Sequence, residues 1–228
     1  MNFDITIGKY RLAALAKVAI KCSVENLADT ADITLPGTLF NRALKVEQKI
    51  AEGDAVRIRL GYDRILRDEF SGYVSEIATD NDSVRIHCED ELYKFRKDLK
   101  DRVLKSVTVK TLLTSVAEEV GKYEVACDYD FTYDNFTIHA ATGYDVLRKV
   151  QSETKANIYL RGKTLHVHPQ YAQIGEKVIY DFAVNIEKSD LKYRDASKRK
   201  FLAVVEGTDA KGKTIRIERG TTGGDKFT

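Results

Sequence analysis

Two acidic clusters contain the residue types that general acid–base catalysis requires. Glu89-Asp90-Glu91 follows a strand-like run, and Glu118-Glu119 lies in a run with helical spacing. Hydrolysis of a glycosidic bond uses two carboxyl groups that face the same bond, and each cluster has enough carboxylates for that chemistry. Neighbouring carboxylates more commonly form a solvated face. We therefore predict that neither cluster is catalytic.

Two histidines have the spacing of a metal-binding pair. His166 and His168 are two positions apart in a strand-like run, so both side chains project from one face and could share an ion. No Asp, Glu or third His stands nearby in the sequence to complete the coordination. The pair is therefore predicted to lie on an exposed strand face next to Pro169, with no metal bound.

The sequence lacks the motifs of nucleophilic and nucleotide chemistry. It contains no G-x-S-x-G, H-E-x-x-H, P-loop or G-x-G-x-x-G pattern. Cys22, Cys88 and Cys127 are scattered and form no C-x-x-C pair, which argues against a disulfide framework and a structural zinc site. Cys22 and Cys88 occupy apolar positions of predicted strands and are expected in the core. We predict a protein that is not an enzyme and has no cofactor.

The composition is that of a folded protein without a membrane span. Of 228 residues, 43% are hydrophobic and 32% charged, and no apolar run approaches the ~18 residues that cross a bilayer. The N-terminus lacks the apolar region of a signal peptide, so folding in a cytoplasm is expected. The net charge of +2, from 37 basic and 35 acidic residues, argues against specific nucleic-acid binding. The basic run Lys198-Arg199-Lys200 is interpreted as a solvated edge.

Residues 1–95 form a first block that is predicted to consist mostly of strands. Apolar and polar residues alternate through two segments, so each segment has one apolar face. Ile33-Thr34-Leu35 is a further strand that ends at Pro36-Gly37, and Leu39 to Glu52 is either a loop or one irregular helix. Short strands separated by turn signals favour a small barrel or a sandwich. The apolar positions of the alternating segments are Val18, Ile20, Cys22 and Val24, then Val56, Ile58 and Leu60.

The most informative stretch is a predicted hairpin within this block. Phe70 to Ile77 and Ser83 to Cys88 alternate as half-buried strands, and Asp80-Asn81-Asp82 between them favours a turn. Gly72 stands inside the first strand, where a glycine marks a bulge or a close approach of another backbone. The predicted barrel and assembly residues are Phe70, Gly72, Tyr73, Val74, Val84, Ile86 and Cys88. On the opposite face, Arg57, Arg59 and Arg85 are expected to point towards a neighbouring chain or the lumen of a ring.

Residues 96–172 form a second block with helical spacing. Thr108 is the predicted N-cap of a helix that stops at Gly121. Thr142 begins a second helix, with Asp145 three residues later as a variant of the capping box. A hairpin, Asn157 to His168, follows, so the block is predicted to be a compact α+β domain. The apolar helix positions are Leu112, Leu113, Val116 and Val120, then Val146, Leu147 and Val150.

Residues 173–228 form a third block of predicted strands and a tail. The tail, Gly220 to Asp225, is rich in glycine and short polar residues and is expected to have no regular structure of its own. Asp209 to Gly212 is the predicted turn between the last two strands. The strand candidates are Lys177 to Ile186, Lys192 to Tyr193, Phe201 to Glu206 and Thr214 to Glu218.

The hairpin and the segment after it resemble a known family. F-S-G-x-V-x-x-I at Phe70 to Ile77, then a turn, a strand and D-x-L-Y at Asp90 to Tyr93, are similar to the baseplate hub proteins of contractile phage tails. This family includes late control protein D and the VgrG-like hubs of contractile injection systems. The order of helix, strand, helix and hairpin in the second block resembles the domain that follows the first barrel of these hubs. The resemblance covers roughly residues 3–205.

The resemblance implies a mainly β fold with an α+β insert: a small antiparallel β-barrel, an α+β middle domain and a second, partial β-barrel. Because family hubs continue into further strands, the resemblance implies a short member of the family, a fragment, or a third block that is wrongly assigned. The resemblance also implies a virion structural protein that assembles in the bacterial host cytoplasm and forms a homotrimer in the tail baseplate. Its partners would be the tail tube protein, the spike protein and other baseplate proteins. Three chains with two barrels each would join the sixfold tube to the threefold spike.

Two alternatives remain open from the residues alone. An enzyme that uses the pair His166 and His168 is one, and metal analysis of the purified protein would test it. The main alternative is a binding module. A monomeric β-module that binds carbohydrate or a peptide could use Tyr62, Tyr73 and Tyr93 as ligand platforms. The 12 Tyr, 9 Phe and absence of Trp fit cores and protein interfaces better than sugar sites. The oligomeric state separates the two interpretations, since the hub is a trimer and the module a monomer.

Overall fold

The computed structural model describes residues 2–23, 26–36, 49–79, 83–170, 172, 175, 177–190, 200–208, 212–223 and 225–227. The contacts divide the chain into two compact units, Met1–Ile174 and Gly175–Thr228. Strands predominate in both units, and the first also contains two α-helices. The mainly β fold with an α+β insert is therefore confirmed. No helix among the described residues has the length and apolar character needed to cross a membrane.

The first unit begins with a seven-stranded antiparallel sheet in the order β2-β1-β5-β6-β7-β4-β3. Its inward side chains come from every long strand and pack into one core, so the sheet curls around that core as a small barrel. Alternation of apolar and polar residues explains this, because only one face of each strand is buried. The strands are β1 (Asn2–Ile7), β2 (Tyr10–Arg11), β3 (Lys17–Lys21), β4 (Thr30–Pro36), β5 (Ala55–Tyr62), β6 (Ile65–Thr79) and β7 (Ser83–Glu89).

In the first block one prediction is wrong, and several predicted features lie outside the described residues. Cys22 is exposed, not in the core, because β3 ends at Lys21 and the alternation ends with it. Cys88 is fully buried, as predicted. Most of Leu39 to Glu52, the turn at 80–82 and Val24 lie outside the described residues.

The α+β part of the first unit starts with a 3₁₀ helix, Glu91–Arg96. The sheet of β11, β12 and β9 has β11 at one edge, antiparallel to β12, and β9 parallel to β12 on the other side. A second, two-stranded sheet pairs β8 with β10. The elements are β8 (Arg102–Thr108), α1 (Val109–Val120), β9 (Glu124–Cys127), β10 (Thr132–Ile138), α2 (Gly143–Thr154), β11 (Asn157–Arg161) and β12 (Thr164–His168).

Both predicted helix starts are confirmed. The Thr108 hydroxyl accepts a hydrogen bond from the backbone N–H of Thr111 at 3.1 Å. At α2 the capping box is complete, since Thr142 accepts from the N–H of Asp145 at 3.1 Å and Asp145 accepts from the N–H of Thr142 at 3.0 Å. The predicted apolar positions of α2, Val146, Leu147 and Val150, are buried. In α1, Val120 is only partly buried and packs against the core that encloses Leu112, Leu113 and Val116.

The second core of this unit contains residues from the barrel segment as well as from the α+β part. Leu27 and Ala28, which lie between β3 and β4, pack with Leu92 and Phe95 of the 3₁₀ helix and with α1 and α2. The barrel and the α+β part therefore share a buried apolar surface. Each Å² of such surface removed from water stabilises the fold by about 25 cal/mol.

The second unit contains a three-stranded sheet in the order β14-β13-β15. β13 (Phe201–Thr208) and β14 (Thr214–Gly220) form the predicted hairpin. One prediction is wrong, since residues 177–186 form no strand. After the predicted tail, β15 (Asp225–Phe227) pairs parallel to β13. Lys192 to Tyr193 and residues 209–211 lie outside the described residues.

Candidate functional site

The acidic turn after β7 lies where β6, β7 and the 3₁₀ helix meet. Gly72 of β6 allows the backbone of β6 to lie close to the backbone of this turn. A Cβ atom on Gly72 would stand 2.0 Å from the carbonyl oxygen of Glu89. Such a distance is far inside van der Waals contact, so only glycine allows the backbone of β6 to lie this close. The predicted role of Gly72 as a point of close backbone approach is confirmed.

Glu89 joins the end of the barrel to the α+β part. Its carboxylate, on a residue that is only 8% exposed, accepts two hydrogen bonds of 2.7 Å from Nε and Nη2 of Arg96. The Arg96 guanidinium also lies 4.4 Å from the ring centroid of Tyr144 in α2. Hydrogen bonding to Glu89 raises the pKa of Arg96 above its ordinary value. Bidentate and stacked contacts of this kind use the planar guanidinium, which lysine lacks.

Asp90 connects the 3₁₀ helix to the loop before β4. Its carboxylate accepts the N–H of Leu92 at 2.9 Å as the helix N-cap and the N–H of Asp29 at 3.2 Å. The N–H of Asp90 donates in return to the Asp29 carbonyl oxygen at 3.0 Å. Burial raises the pKa of Asp90 to about 6, and the two backbone hydrogen bonds only partly oppose this rise.

Glu91 is bound by groups from both sides of the turn. Lys94 Nζ donates to Oε1 at 2.6 Å, and the hydroxyl of Tyr123 donates to the same oxygen at 2.8 Å. Burial acts to raise the pKa of Glu91, but these hydrogen bonds outweigh it and leave the pKa below its ordinary value. We call Glu89, Asp90, Glu91, Lys94 and Arg96 the junction cluster.

The junction cluster corrects the interpretation of the acidic residues as a solvated face. Each of the three carboxylates has a different set of partners, and Glu89 is buried. Such an arrangement holds the surrounding elements together. Sequence reasoning missed Arg96, Tyr123 and Tyr144, because their partners come from separate elements and no local spacing signals them.

In the second acidic cluster, Glu118-Glu119, the residue Glu119 also has a structural role. Glu119 of α1 accepts hydrogen bonds from the guanidinium of Arg102 and from the N–H of Lys100 at 2.8 Å. These contacts lower the pKa of Glu119 and tie α1 to the start of β8. Glu119 therefore connects elements of the α+β part, as the junction carboxylates do.

The residues proposed for the barrel centre lie in the first core. Phe70, Val74, Val84, Ile86 and Cys88 are all at most 6% exposed. The three arginines lie outside this core, and two of them form ion pairs across the outer surface. Arg57 pairs with Asp68 at 2.6 Å, and Arg59 pairs with Asp4 at 3.3 Å. Arg85 is exposed on β7.

Tyr62, Tyr73 and Tyr93, the ligand platforms of the alternative binding module, do not form one common surface. Tyr73 and Tyr93 stack with centroids 5.8 Å apart, and Lys94 Nζ lies 4.7 Å from the centroid of Tyr73. Protein groups therefore already contact the Tyr73 ring. Tyr62 lies apart, at the turn between β5 and β6.

The histidine pair shares one face of β12, but that face is not exposed as predicted. His168 is only 6% exposed, and the rings of His166 and His168 contact Tyr159 at centroid distances of 5.1 and 5.5 Å. The prediction missed this because Tyr159, on the paired strand β11, covers the histidines. Within the part of the chain that the structure describes, no three His, Cys, Asp or Glu side chains converge as a metal site.

The architecture is that of a phage tail protein fold. The chain is similar to the 43 kDa tail protein of prophage MuSo2 from Shewanella oneidensis, with 14% identity and a TM-score of 0.58 over 95% of this chain and 67% of that one. It is also similar to prophage tail protein gp18 from Listeria monocytogenes, with 12% identity and a TM-score of 0.59 over 96% and 68%. A tail protein from Neisseria meningitidis matches with 13% identity and a TM-score of 0.51 over 88% and 63%.

These similarities concern the fold, since the identities are low. The chain spans about two thirds of the length of these tail proteins. No protein-family model matches the sequence. No curated protein matches it either.

Proposed function

We propose that the chain is a structural hub protein of a phage tail baseplate or a related contractile injection device. The observation that carries this proposal is the match of nearly the whole chain, 95–96%, to two prophage tail proteins. In this proposal the chain forms a homotrimer that joins the sixfold tail tube to the threefold spike and contacts other baseplate proteins. Each chain supplies the barrel of residues 1–95, the α+β domain of 96–172 and a second, partial barrel unit from 173–228.

Apolar surface in the second unit supports assembly. In the β13–β14 hairpin, Leu202 and Val204 are buried on one face, while Val205, Ile215 and Ile217 on the other face are 44–64% exposed. The described segment before the hairpin adds five more large apolar residues that are 63–80% exposed: Val178, Ile179, Tyr180, Phe182 and Val184. Apolar surface of this extent is typical of protein–protein interfaces.

The junction cluster supports the same proposal for the first unit. A ring must hold its interfaces in a constant relation to one another, and the cluster ties the barrel to the α+β part through hydrogen bonds to three carboxylates. A shared core adds to these bonds. The residues proposed to contribute to barrel assembly remain Phe70, Gly72, Tyr73, Val74, Val84 and Ile86, with Arg57, Arg59 and Arg85 on the outer surface.

Sedimentation equilibrium tests this proposal. The parent is expected at three times the chain mass of 25.8 kDa. Ile217→Asp is expected to give the single-chain mass with an unchanged melting temperature, because it places a charge on the exposed face of β14. Val103→Asp, at an equally exposed apolar residue of β8, is the matched control and should remain a trimer. A monomeric parent with a ligand-binding cleft would favour the carbohydrate- or peptide-binding module instead.

A further inference from the structure

A groove runs along β11 between the α+β part and the end of β3. Its main cavity, of about 510 Å³, is lined by all five residues of β11, by Asp90 and His168, and by Cys22, Ser23, Asn26, Leu27 and Asp29. A second cavity of about 370 Å³ shares Cys22, Asp29, Asp90 and Leu160 with the first and continues past Glu69. The main cavity has a volume typical of ligand pockets. We call this continuous space the β11 groove.

The groove follows the edge of a sheet. β11 is the outer strand of the β11-β12-β9 sheet and has a strand neighbour on one side only among the described residues. Side chains of successive strand residues point to opposite faces, so a cavity over one face would be lined by alternate residues. Here all five successive residues line it, although the Ile158 side chain is buried in the core. The cavity therefore lies against the strand edge.

The charges of the groove lining favour a positively charged ligand with several hydrogen-bond donors. The described residues of the lining include the carboxylates of Asp29, Glu69 and Asp90 against one guanidinium, from Arg161. The carboxylate of Glu91 also lines the groove but is already paired with Lys94. Acidic clefts concentrate cationic ligands by charge complementarity.

A buried histidine in the same lining has an unmatched acceptor. Nδ1 of His168 lies 2.9 Å from the carbonyl oxygen of Pro169, so Nδ1 carries the ring proton and Nε2 of the neutral ring is an acceptor. Nε2 is buried and has no hydrogen-bond partner among the described residues. A buried ring nitrogen without a partner costs free energy, so His168 is an unsatisfied polar residue in the groove lining.

We propose that the β11 groove binds an extended segment of a partner protein that is rich in lysine or arginine and pairs as an added strand with β11. Main-chain hydrogen bonds to the edge supply part of the affinity, as in other strand-addition complexes. The carboxylates of the groove supply selection for basic side chains. This binding concerns the single chain and does not depend on the trimer proposed above.

The exposed Cys22 thiol provides a local probe. It lines both cavities, whereas Cys127 on β9 lines neither. The ligand probe is a synthetic peptide, Lys-Val-Lys-Val-Lys, which has the five-residue length of β11. At a peptide concentration of about ten times Kd, iodoacetamide should alkylate Cys22 about tenfold more slowly, with no change at Cys127.

Variants and control ligands separate strand pairing from charge attraction. Asp29→Asn keeps the oxygen that accepts the N–H of Ser23, and Glu69→Gln changes an exposed residue, so both should fold. Each is expected to weaken peptide binding about tenfold, the loss of one charge-assisted hydrogen bond. Asp130→Asn, outside the groove lining, is the control and should bind like the parent.

Several results would overturn the proposal. These are no protection of Cys22, equal protection by Glu-Val-Glu-Val-Glu, or an equal loss of binding in Asp130→Asn. Protection by spermidine at the same concentration would assign the effect to charge alone and would also overturn the added strand. Strand pairing requires that peptide binding protect from exchange the alternate amide hydrogens of residues 157–161, those that do not pair with β12.

Discussion

Replacement of Gly72 by alanine should destabilise the barrel although it adds only one methyl group. The new Cβ would stand 2.0 Å from the carbonyl oxygen of Glu89 and 2.9 Å from Cα of Asp90. Ordinary van der Waals contact begins at 3.4 Å, so the strands have to move apart by about 1.4 Å. Both obstacles are backbone atoms, and no side-chain rotation relieves the clash.

The expected loss follows from what that movement breaks. The neighbouring pairs Tyr73–Glu89 and Val74–Cys88 belong to the β6–β7 ladder. Loss of two ladder hydrogen bonds at about 1 kcal/mol each, with some loss of packing around Val74, gives about 3 kcal/mol. The lower chain entropy of an unfolded alanine variant offsets less than about 1 kcal/mol of this. The clash therefore outweighs the entropy gain.

Scanning calorimetry measures this effect, because it can resolve the transitions of two units. A loss of about 3 kcal/mol should lower the melting temperature of the first unit by about 6–12 °C. Gly207→Ala is the matched control, a glycine within strand β13 where a Cβ would meet no atom within 4 Å. That variant should melt at or slightly above the parent temperature. If both variants melt with the parent, the close approach at Gly72 does not exist in solution and the reasoning is refuted.

Three further predictions concern the first unit. Arg96→Met leaves the buried Glu89 carboxylate without its partner and should lower the free energy of unfolding in urea by about 2 kcal/mol. The control Arg57→Met breaks an equally short but exposed ion pair and should change stability little, so equal losses in the two variants would contradict the prediction. Thr142→Ala removes the capping box of α2 and should cost about 1 kcal/mol, while Thr114→Ala within α1 should be neutral or stabilising. The raised pKa of Asp90, about 6, lies above the ~3.9 of an unfolded aspartate, so the folded chain holds this proton up to a higher pH. The contribution of Asp90 is therefore greatest below about pH 4 and falls as the pH rises to about 6, and urea titrations should show the parent losing stability relative to Asp90→Asn across that window; a constant difference would contradict the prediction.

Local patterns predicted the elements whose formation depends on local chemistry. Thr108 and Thr142 cap helices because a threonine hydroxyl can accept the N–H three residues later, and that relation is visible in the chain. Alternation identified β5, β6 and β7 because one buried face imposes a period of two. The same rule failed at Cys22, since alternation says where side chains point but not where a strand ends.

The junction could not be predicted, because its partners are brought together by the fold. Glu89 and Arg96 are seven residues apart and join through a 3₁₀ helix, and Tyr123 reaches Glu91 across 32 residues. His168 was assigned to an exposed face for the same reason, since nothing near it in sequence indicates that Tyr159 packs against its ring. Segment 177–186 is a strand candidate in the sequence, but the described residues there form no strand pairing.

Three successive carboxylates at one turn repel one another, so their retention in the fold requires compensation from several directions. Arg96 and Lys94 supply positive charge to Glu89 and Glu91, and backbone N–H groups alone serve Asp90. This difference explains why burial raises the pKa of Asp90 while the pKa of Glu91 falls. It also leaves Asp90, which borders the β11 groove, as the junction carboxylate without a cationic side chain bound to it among the described residues. A basic segment in the groove would supply that missing charge, so the strength of the junction and the occupancy of the groove should be coupled.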